Sequence, residues 1–263
     1  MTFAATDPTC GAGLQADVLT LASLGCHPVS VTTAITVQDT HGVRSLRALE
    51  PNWVIEQARA LLDEMPVAAI KLGVLGSVEN ATAIAELIAR HRGTPLVVDP
   101  VLASGRGDSL ACDATIDALL EHVLPLAMVL TPNSVEARRL ASASPDADLD
   151  ECAARLIGRG VTYVLITGTH EPGTEVANTL YGPAGARDTH RWQRLVGSYH
   201  GSGCTLASAI AAQLALGLSL PDAVRLAQEY TWRTLAGGFR PAAGQHIPDR
   251  FYWAHDARRA AIR

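Results

Sequence analysis

The sequence holds a single lysine, Lys71, so its 21 basic residues are otherwise all arginine. A Walker-type phosphate loop requires Gly-Lys-Ser/Thr, and Lys71 is followed by Leu72, which excludes that nucleotide site. There is no basic excess either. Twenty-one basic against 26 acidic residues give a formal net charge of -5 and a pI near 6.0. Nucleic-acid and anionic-membrane partners favour the opposite sign, so neither is expected. No stretch approaches the roughly 18 apolar residues of a membrane span, and Met1 to Cys10 lacks a basic segment followed by an apolar run. The five cysteines, Cys10, Cys26, Cys112, Cys152 and Cys204, are odd in number and show neither CxxC nor CxxH spacing. A disulfide framework and a zinc site are therefore not indicated, and reduced thiols in a cytoplasmic protein are the simplest reading. Because no Pro/Ser-rich linker divides the chain, one domain spanning 1–263 is expected.

What is present is an ordinary globular composition, 48% hydrophobic and 18% charged, long enough to build one large core. Apolar residues recur at helical spacing over Val54 to Met65, Val78 to Ile88 and Leu149 to Ile157, and Asp148 with Glu151 gives the last a capping-box start. Between these lie short apolar runs, Val67 to Leu72, Pro95 to Val98, Leu126 to Leu130 and Val161 to Ile166, of the kind buried strands use. Their alternation predicts an α/β fold with a mostly parallel sheet covered by helices on both faces. His27 to Val37 and Asn178 to Trp192 break the rhythm and are candidates for an antiparallel edge or a flap.

In such sheets the ligand lies beyond the carboxyl ends of the strands, so polar residues just after the apolar runs matter. They are Lys71-Leu72-Gly73, Asp99-Pro100, Thr131-Pro132-Asn133 with Glu136, and Thr167-Gly168. Each alone also suits a helix cap or a loop. The strongest local signal is His200-Gly201-Ser202-Gly203-Cys204-Thr205 ahead of an alanine-rich helix. A glycine-rich turn opening a helix directs backbone N–H groups at a phosphate or oxyanion. Cys204 would fall in the first helical turn, where a thiol pKa is commonly lowered, so a proton-accepting thiolate is expected. A second glycine-rich helix start, Asp7 to Asp17 with Gly11 and Gly13, points to a ligand with phosphate at one end.

These segments together resemble the hydroxymethylpyrimidine/phosphomethylpyrimidine kinases of thiamine biosynthesis, within the ribokinase-like superfamily. The resemblance is carried in order by FAATDPTCGAGLQAD (3–17), TAITVQDT (33–40), AIKLGVLGS (69–77), VVDPVLASGRGD (97–108), TPNSVEA (131–137) and YHGSGCTLASAIAA (199–212). It implies a ribokinase-like three-layer α/β/α sandwich with a small edge flap. The implied reaction uses ATP and Mg²⁺ to phosphorylate 4-amino-5-hydroxymethyl-2-methylpyrimidine (HMP) and then its monophosphate. By the same resemblance Asp17 and Gln38 sit at the pyrimidine pocket, beside Val74 and the Gly11 turn. Cys204 lies next to the substrate hydroxymethyl group as proton acceptor, with the amides of Gly201, Ser202 and Gly203 on the transferring phosphoryl group. Asn133 and Glu136 form the metal-associated motif, joined by Asp99, while Thr167, Gly168 and Arg106 lie on the nucleotide side. A homodimer is implied as well.

The sequence departs from the family pattern at several points. Val74 replaces a frequent Met, Ser202 a frequent Thr, and Thr167-Gly168-Thr169-His170 stands where relatives have Lys-Gly-Gly-His, removing a lysine contact to ATP. The chain also starts at its first strand, which is expected to be short. Alternatives are a pyridoxal/pyridoxine kinase of the same superfamily, a cysteine hydrolase pairing Cys204 with His200, and a pyrimidine-binding regulator without turnover.

Overall fold

The computed structural model describes residues 1–103, 107 and 110–255. A nine-stranded sheet in the order β3-β2-β1-β4-β5-β6-β7-β8-β9 organises them. Its parallel centre comprises β1 (Thr2–Ala5), β2 (Ser30–Asp39), β4 (Ile70–Leu72), β5 (Leu96–Val98), β6 (Val129–Leu130) and β7 (Tyr163–Thr167). Of the two stretches that break the sequence rhythm, Asn178 to Trp192 forms the antiparallel edge hairpin, whereas His27 to Val37 becomes β2, an interior strand, and the antiparallel edge on that side is the segment that follows it. β2 is hydrogen-bonded to β1 on one side and to antiparallel β3 (Gly42–Ala48) on the other, while β8 (Glu175–Gly182) and β9 (Gly185–Gln193) form a hairpin beyond β7.

Side-chain alternation along the central strands assigns the two faces. Ile70, Leu72, Leu96, Val98, Leu130, Val164 and Ile166 point to one face, covered by α2 (Pro51–Leu62), α3 (Val78–Ile88), α4 (Asp113–Ala118), α5 (Ser134–Leu140) and α6 (Leu149–Gly158). Val97, Val129 and Leu165 point to the other, against α7 (Ser202–Ala215) and α8 (Leu220–Ala236). Burial of one such aliphatic side chain contributes about 1.5–3 kcal/mol, so this is the three-layer arrangement that the periodicity predicts. The alternation also sends Lys71, between Ile70 and Leu72, toward α7 and α1 (Gly13–Ser23).

Helix starts follow local chemistry, with one difference from expectation. Asp148 caps α6 by accepting from the Asp150 amide at 2.9 Å, and Glu151 pairs with Arg155 instead of reaching back. The reciprocal capping box lies at Asn133 and Glu136.

Candidate active site

A cleft of about 430 Å³ opens where the strand-order rule places a ligand, beyond the carboxyl ends of β1, β4, β5, β6 and β7. Its rim on one side is the β2–β3 hairpin, through Thr36, Gln38, Val43 and Leu46, and on the other the β8–β9 hairpin and α8, through Trp192 and Trp232. Gln38 stands where the β2–β3 register slips between Val37 and Gln38, a bulge that re-aims a side chain.

Two glycine-rich segments meet on the cleft wall. Gly201 precedes α7 in a left-handed conformation, φ +81°, and its Cα faces the Gly11 backbone so closely that a Cβ would strike the Gly11 carbonyl. Asp7 fixes the first segment by accepting from the amides of Thr9 at 2.8 Å and Ala12 at 2.7 Å. His200 Nε2 lies 2.8 Å from Asp7 Oδ2, which ties the second segment to the first. Burial pushes the Asp7 carboxyl up, but His200 and those amides overcome it and hold the pKa at about 2. Arg250 completes the clasp, donating to the carbonyls of Cys10 and Gly11 and to Thr205 Oγ1. The N-terminal amides of α7 are thus presented to the cleft by a rigid joint, with Gly201, Ser202, Gly203 and Cys204 all lining it.

The floor is charged. Lys71, fully buried, donates to both oxygens of Asp17 at 2.9 Å and stands 3.9 Å from Asp99 Oδ2. Burial would discharge the ammonium, but the carboxylates of Asp17 and Asp99 keep it protonated, its pKa raised above the ordinary lysine value. Burial pushes the Cys204 thiol up to about 12, against the pull of Lys71. This corrects the expectation of a lowered thiol pKa. The helix start is present, yet Cys204, half-buried on the cleft wall, stands beside Asp99 and Asp17, and their charge opposes a thiolate.

Glu136 accepts from the amides of Asn133 at 3.0 Å and Leu102 at 3.3 Å, and its own amide donates to Asn133 Oδ1 at 2.9 Å. Burial, followed by the charge of Asp99, nevertheless pushes its carboxyl up to about 8. The folded chain therefore holds a proton there that the unfolded chain loses near pH 4.5, and stability conferred below that pH is lost as pH rises through about 8. In metal-free buffer, Glu136→Gln should raise the melting temperature relative to the parent by a margin that grows from pH 6 to pH 9. A margin constant with pH, measured by calorimetry, would contradict this assignment.

Of the residues that sequence reasoning singles out, Gln38, Val74, Asp99, Asn133, Glu136, Thr167, Gly201, Ser202, Gly203 and Cys204 all line the one cleft. Three do not. Asp17 is fully buried behind Lys71, Gly11 serves as the backbone surface against which Gly201 packs, and Gly168 donates its amide to Asn178 Oδ1 at 3.2 Å. Arg106 lies outside the described residues. Lys71 itself lines the cleft, a role its position at the end of a strand run only hinted at. Trp192 and Trp232, ring centroids 6.3 Å apart, and the buried Asn178–Gln228 pair escaped sequence reasoning, because one edge hairpin and one distant helix bring them together. His200 has a carboxylate partner in Asp7, but among the described residues it makes no hydrogen bond to Cys204, the contact that a cysteine hydrolase would need.

The profile of the phosphomethylpyrimidine kinase family matches residues 7–249. The chain is 39% identical over 257 residues to the hydroxymethylpyrimidine/phosphomethylpyrimidine kinase of Streptomyces coelicolor, covering 97% of this chain and 94% of that one. Among solved structures it is similar to an ADP complex of Bacillus subtilis pyridoxal kinase, with TM-score 0.86, 26% identity and 95% of each chain covered. It is also similar to the phosphomethylpyrimidine kinase of Clostridium difficile 630, with TM-score 0.76, 33% identity, and 88% of this chain and 96% of that one covered.

Proposed function

The chain belongs to the phosphomethylpyrimidine kinase family, and from that premise we propose that the described cleft is where ATP phosphorylates HMP and then HMP phosphate. The enzyme is an ATP-dependent kinase serving thiamine biosynthesis. The observation that carries the assignment of the site is that the α7 amides, Cys204 and Gln38, from distant parts of the chain, line one cleft together with Lys71, Asp99 and the N-terminal turn. Gln38 offers an amide donor and acceptor to the aminopyrimidine edge. Val74 lines the same cleft. The amides of residues 201–204 face the transferring phosphoryl group, while Thr167 and Asn133 lie on the nucleotide side.

Cys204 is assigned to hold the acceptor hydroxyl as a neutral thiol. Phosphoryl transfer passes through a loose transition state in which positioning and charge neutralisation dominate, so a thiolate base is not required.

Among the described residues no group of three or more His, Cys, Asp or Glu side chains converges as a metal cage. Two carboxylates nonetheless fit Mg²⁺. Asp99 Oδ2 is buried without a hydrogen-bond partner, and Glu136, raised first by burial and then by the charge of Asp99, is a carboxyl that a bound cation would ionise. Magnesium usually keeps several waters and substrate phosphate oxygens, so two carboxylates suffice. Asp99 and Glu136 would hold the ion, which supplies neutralisation of the polyphosphate charge.

Phosphorylation of HMP is expected to exceed that of pyridoxine by at least ~10-fold in kcat/KM, about 1.4 kcal/mol of transition-state discrimination. A coupled assay with HMP, HMP phosphate and pyridoxine tested separately decides it, and equal or reversed preference would assign a pyridoxine kinase instead. No helix among the described residues is long and apolar enough to cross a membrane. A cytoplasmic location is our reading from the five free cysteines, and a homodimer our reading from Ile35 and Val37, which leave apolar surface exposed on β2.

A further inference from the structure

The buried floor contains one ammonium and two carboxylates, and the lysine hydrogen-bonds only one of them, Asp17, while its ion pair with Asp99 stays at 3.9 Å. Asp17 accepts four hydrogen bonds, two from Lys71 Nζ at 2.9 Å, one from Ser208 Oγ at 2.7 Å and one from Thr2 Oγ1 at 2.6 Å. That is the full capacity of a carboxylate. Asp99, by contrast, is 4% exposed; the Cys204 thiol interacts with its carboxyl, but its Oδ2 has no hydrogen-bond partner. The ammonium stands 3.9 Å away, outside hydrogen-bond range. A shift of roughly 1 Å would bring it to the 2.7–2.9 Å of a charge-assisted bond. An unpaired buried carboxylate oxygen beside an available cation is costly, so something must hold the two apart.

We propose that Asp17 is a positioning residue that withholds the Lys71 ammonium from Asp99 and so keeps the Asp99 carboxylate open to a divalent cation. Thr2 from β1 and Ser208 from α7 fix Asp17 against the lysine, so that two of the ammonium's three N–H groups are drawn to Asp17 and its nitrogen is held 3.9 Å from Asp99. The inference rests on the reading that Asp99 holds the metal.

The test uses Mn²⁺ as the probe, its free concentration followed by electron paramagnetic resonance with the full chain and saturating ADP. Asp17→Asn keeps the shape of the side chain but loses its charge, so Lys71 should move onto Asp99 and Mn²⁺ affinity should fall about 10–100-fold. Removing the competing ammonium as well, in Asp17→Asn/Lys71→Met, should restore affinity to within about 3-fold of the parent. A structural role alone would make the double variant no better than the single one. Unchanged affinity in Asp17→Asn, or no recovery in the double variant, overturns the proposal. Asp99→Asn separates the two ideas: if it leaves Mn²⁺ affinity unchanged, the metal reading fails and takes this inference with it. Should Asp17→Asn not fold, Ser208→Ala, which removes one of the four hydrogen bonds, is expected to weaken Mn²⁺ about 3-fold, and parental affinity there overturns the proposal.

Discussion

Gly201→Ala is expected to lower kcat/KM about 10²–10³-fold, a loss of about 3–4 kcal/mol in transition-state stabilisation, and to lower the melting temperature. The left-handed φ of +81° alone costs an L-residue on the order of 1–2 kcal/mol. The larger effect is steric. The new Cβ would strike the Gly11 carbonyl oxygen and come within 2.9 Å of Ala12 Cα. Those atoms have nowhere to go, because Arg250 donates to the Gly11 carbonyl at 2.6 Å and Asp7 accepts from the Ala12 amide at 2.7 Å. The two glycine-rich segments must therefore part, and with them the alignment of the α7 amides. Gly203→Ala is the contrast. Its Cβ would meet only the Asp99 carboxylate, Oδ1 at 3.6 Å and Oδ2 at 3.9 Å, ordinary contacts, so folding should be unaffected. Steady-state kinetics and calorimetry on both variants check this, and Gly201→Ala activity within about 3-fold of the parent would show that the joint is not needed.

Lys71→Met should cost about 3–5 kcal/mol of folding stability, because it removes one partner of a fully buried ion pair and strands the other. Thr2 and Ser208 continue to donate to Asp17, but neither supplies charge. Asp99 also loses the ammonium that offsets part of the burial raising its pKa. Urea denaturation at pH 7 measures the loss, and adding Asp17→Asn should recover part of it by removing the stranded charge. A loss below about 1 kcal/mol would mean that the pair does not hold the fold together.

The layers of the fold were legible because period is local. Runs such as Leu96 to Val98 and the Val78 to Ile88 stripe each report their own element, and both appear where expected. The strand-end rule then led to Asp99, Asn133 and Thr167, since it needs only strand ends and polarity. What could not be read was set by contacts between distant segments. Asp17 resembles a pocket residue in its motif, but the alternation of β4 turns Lys71 toward α1 and places the carboxylate behind the ammonium. The expected lowering of the Cys204 pKa followed from its helix position, a local property, whereas the raised value follows from burial beside two carboxylates brought in by other elements. His200 offered itself as a base by proximity in sequence, but its partner is Asp7, 193 residues away.

The most direct measurement is a crystal structure of the protein with a non-hydrolysable ATP analogue and HMP bound together. The terminal phosphate should accept from the amides of residues 201–204, with the pyrimidine hydroxyl facing Cys204 and the ring edge at Gln38. A terminal phosphate seated away from the start of α7, or a pyrimidine turned with its hydroxyl away from Cys204, would contradict the proposed site.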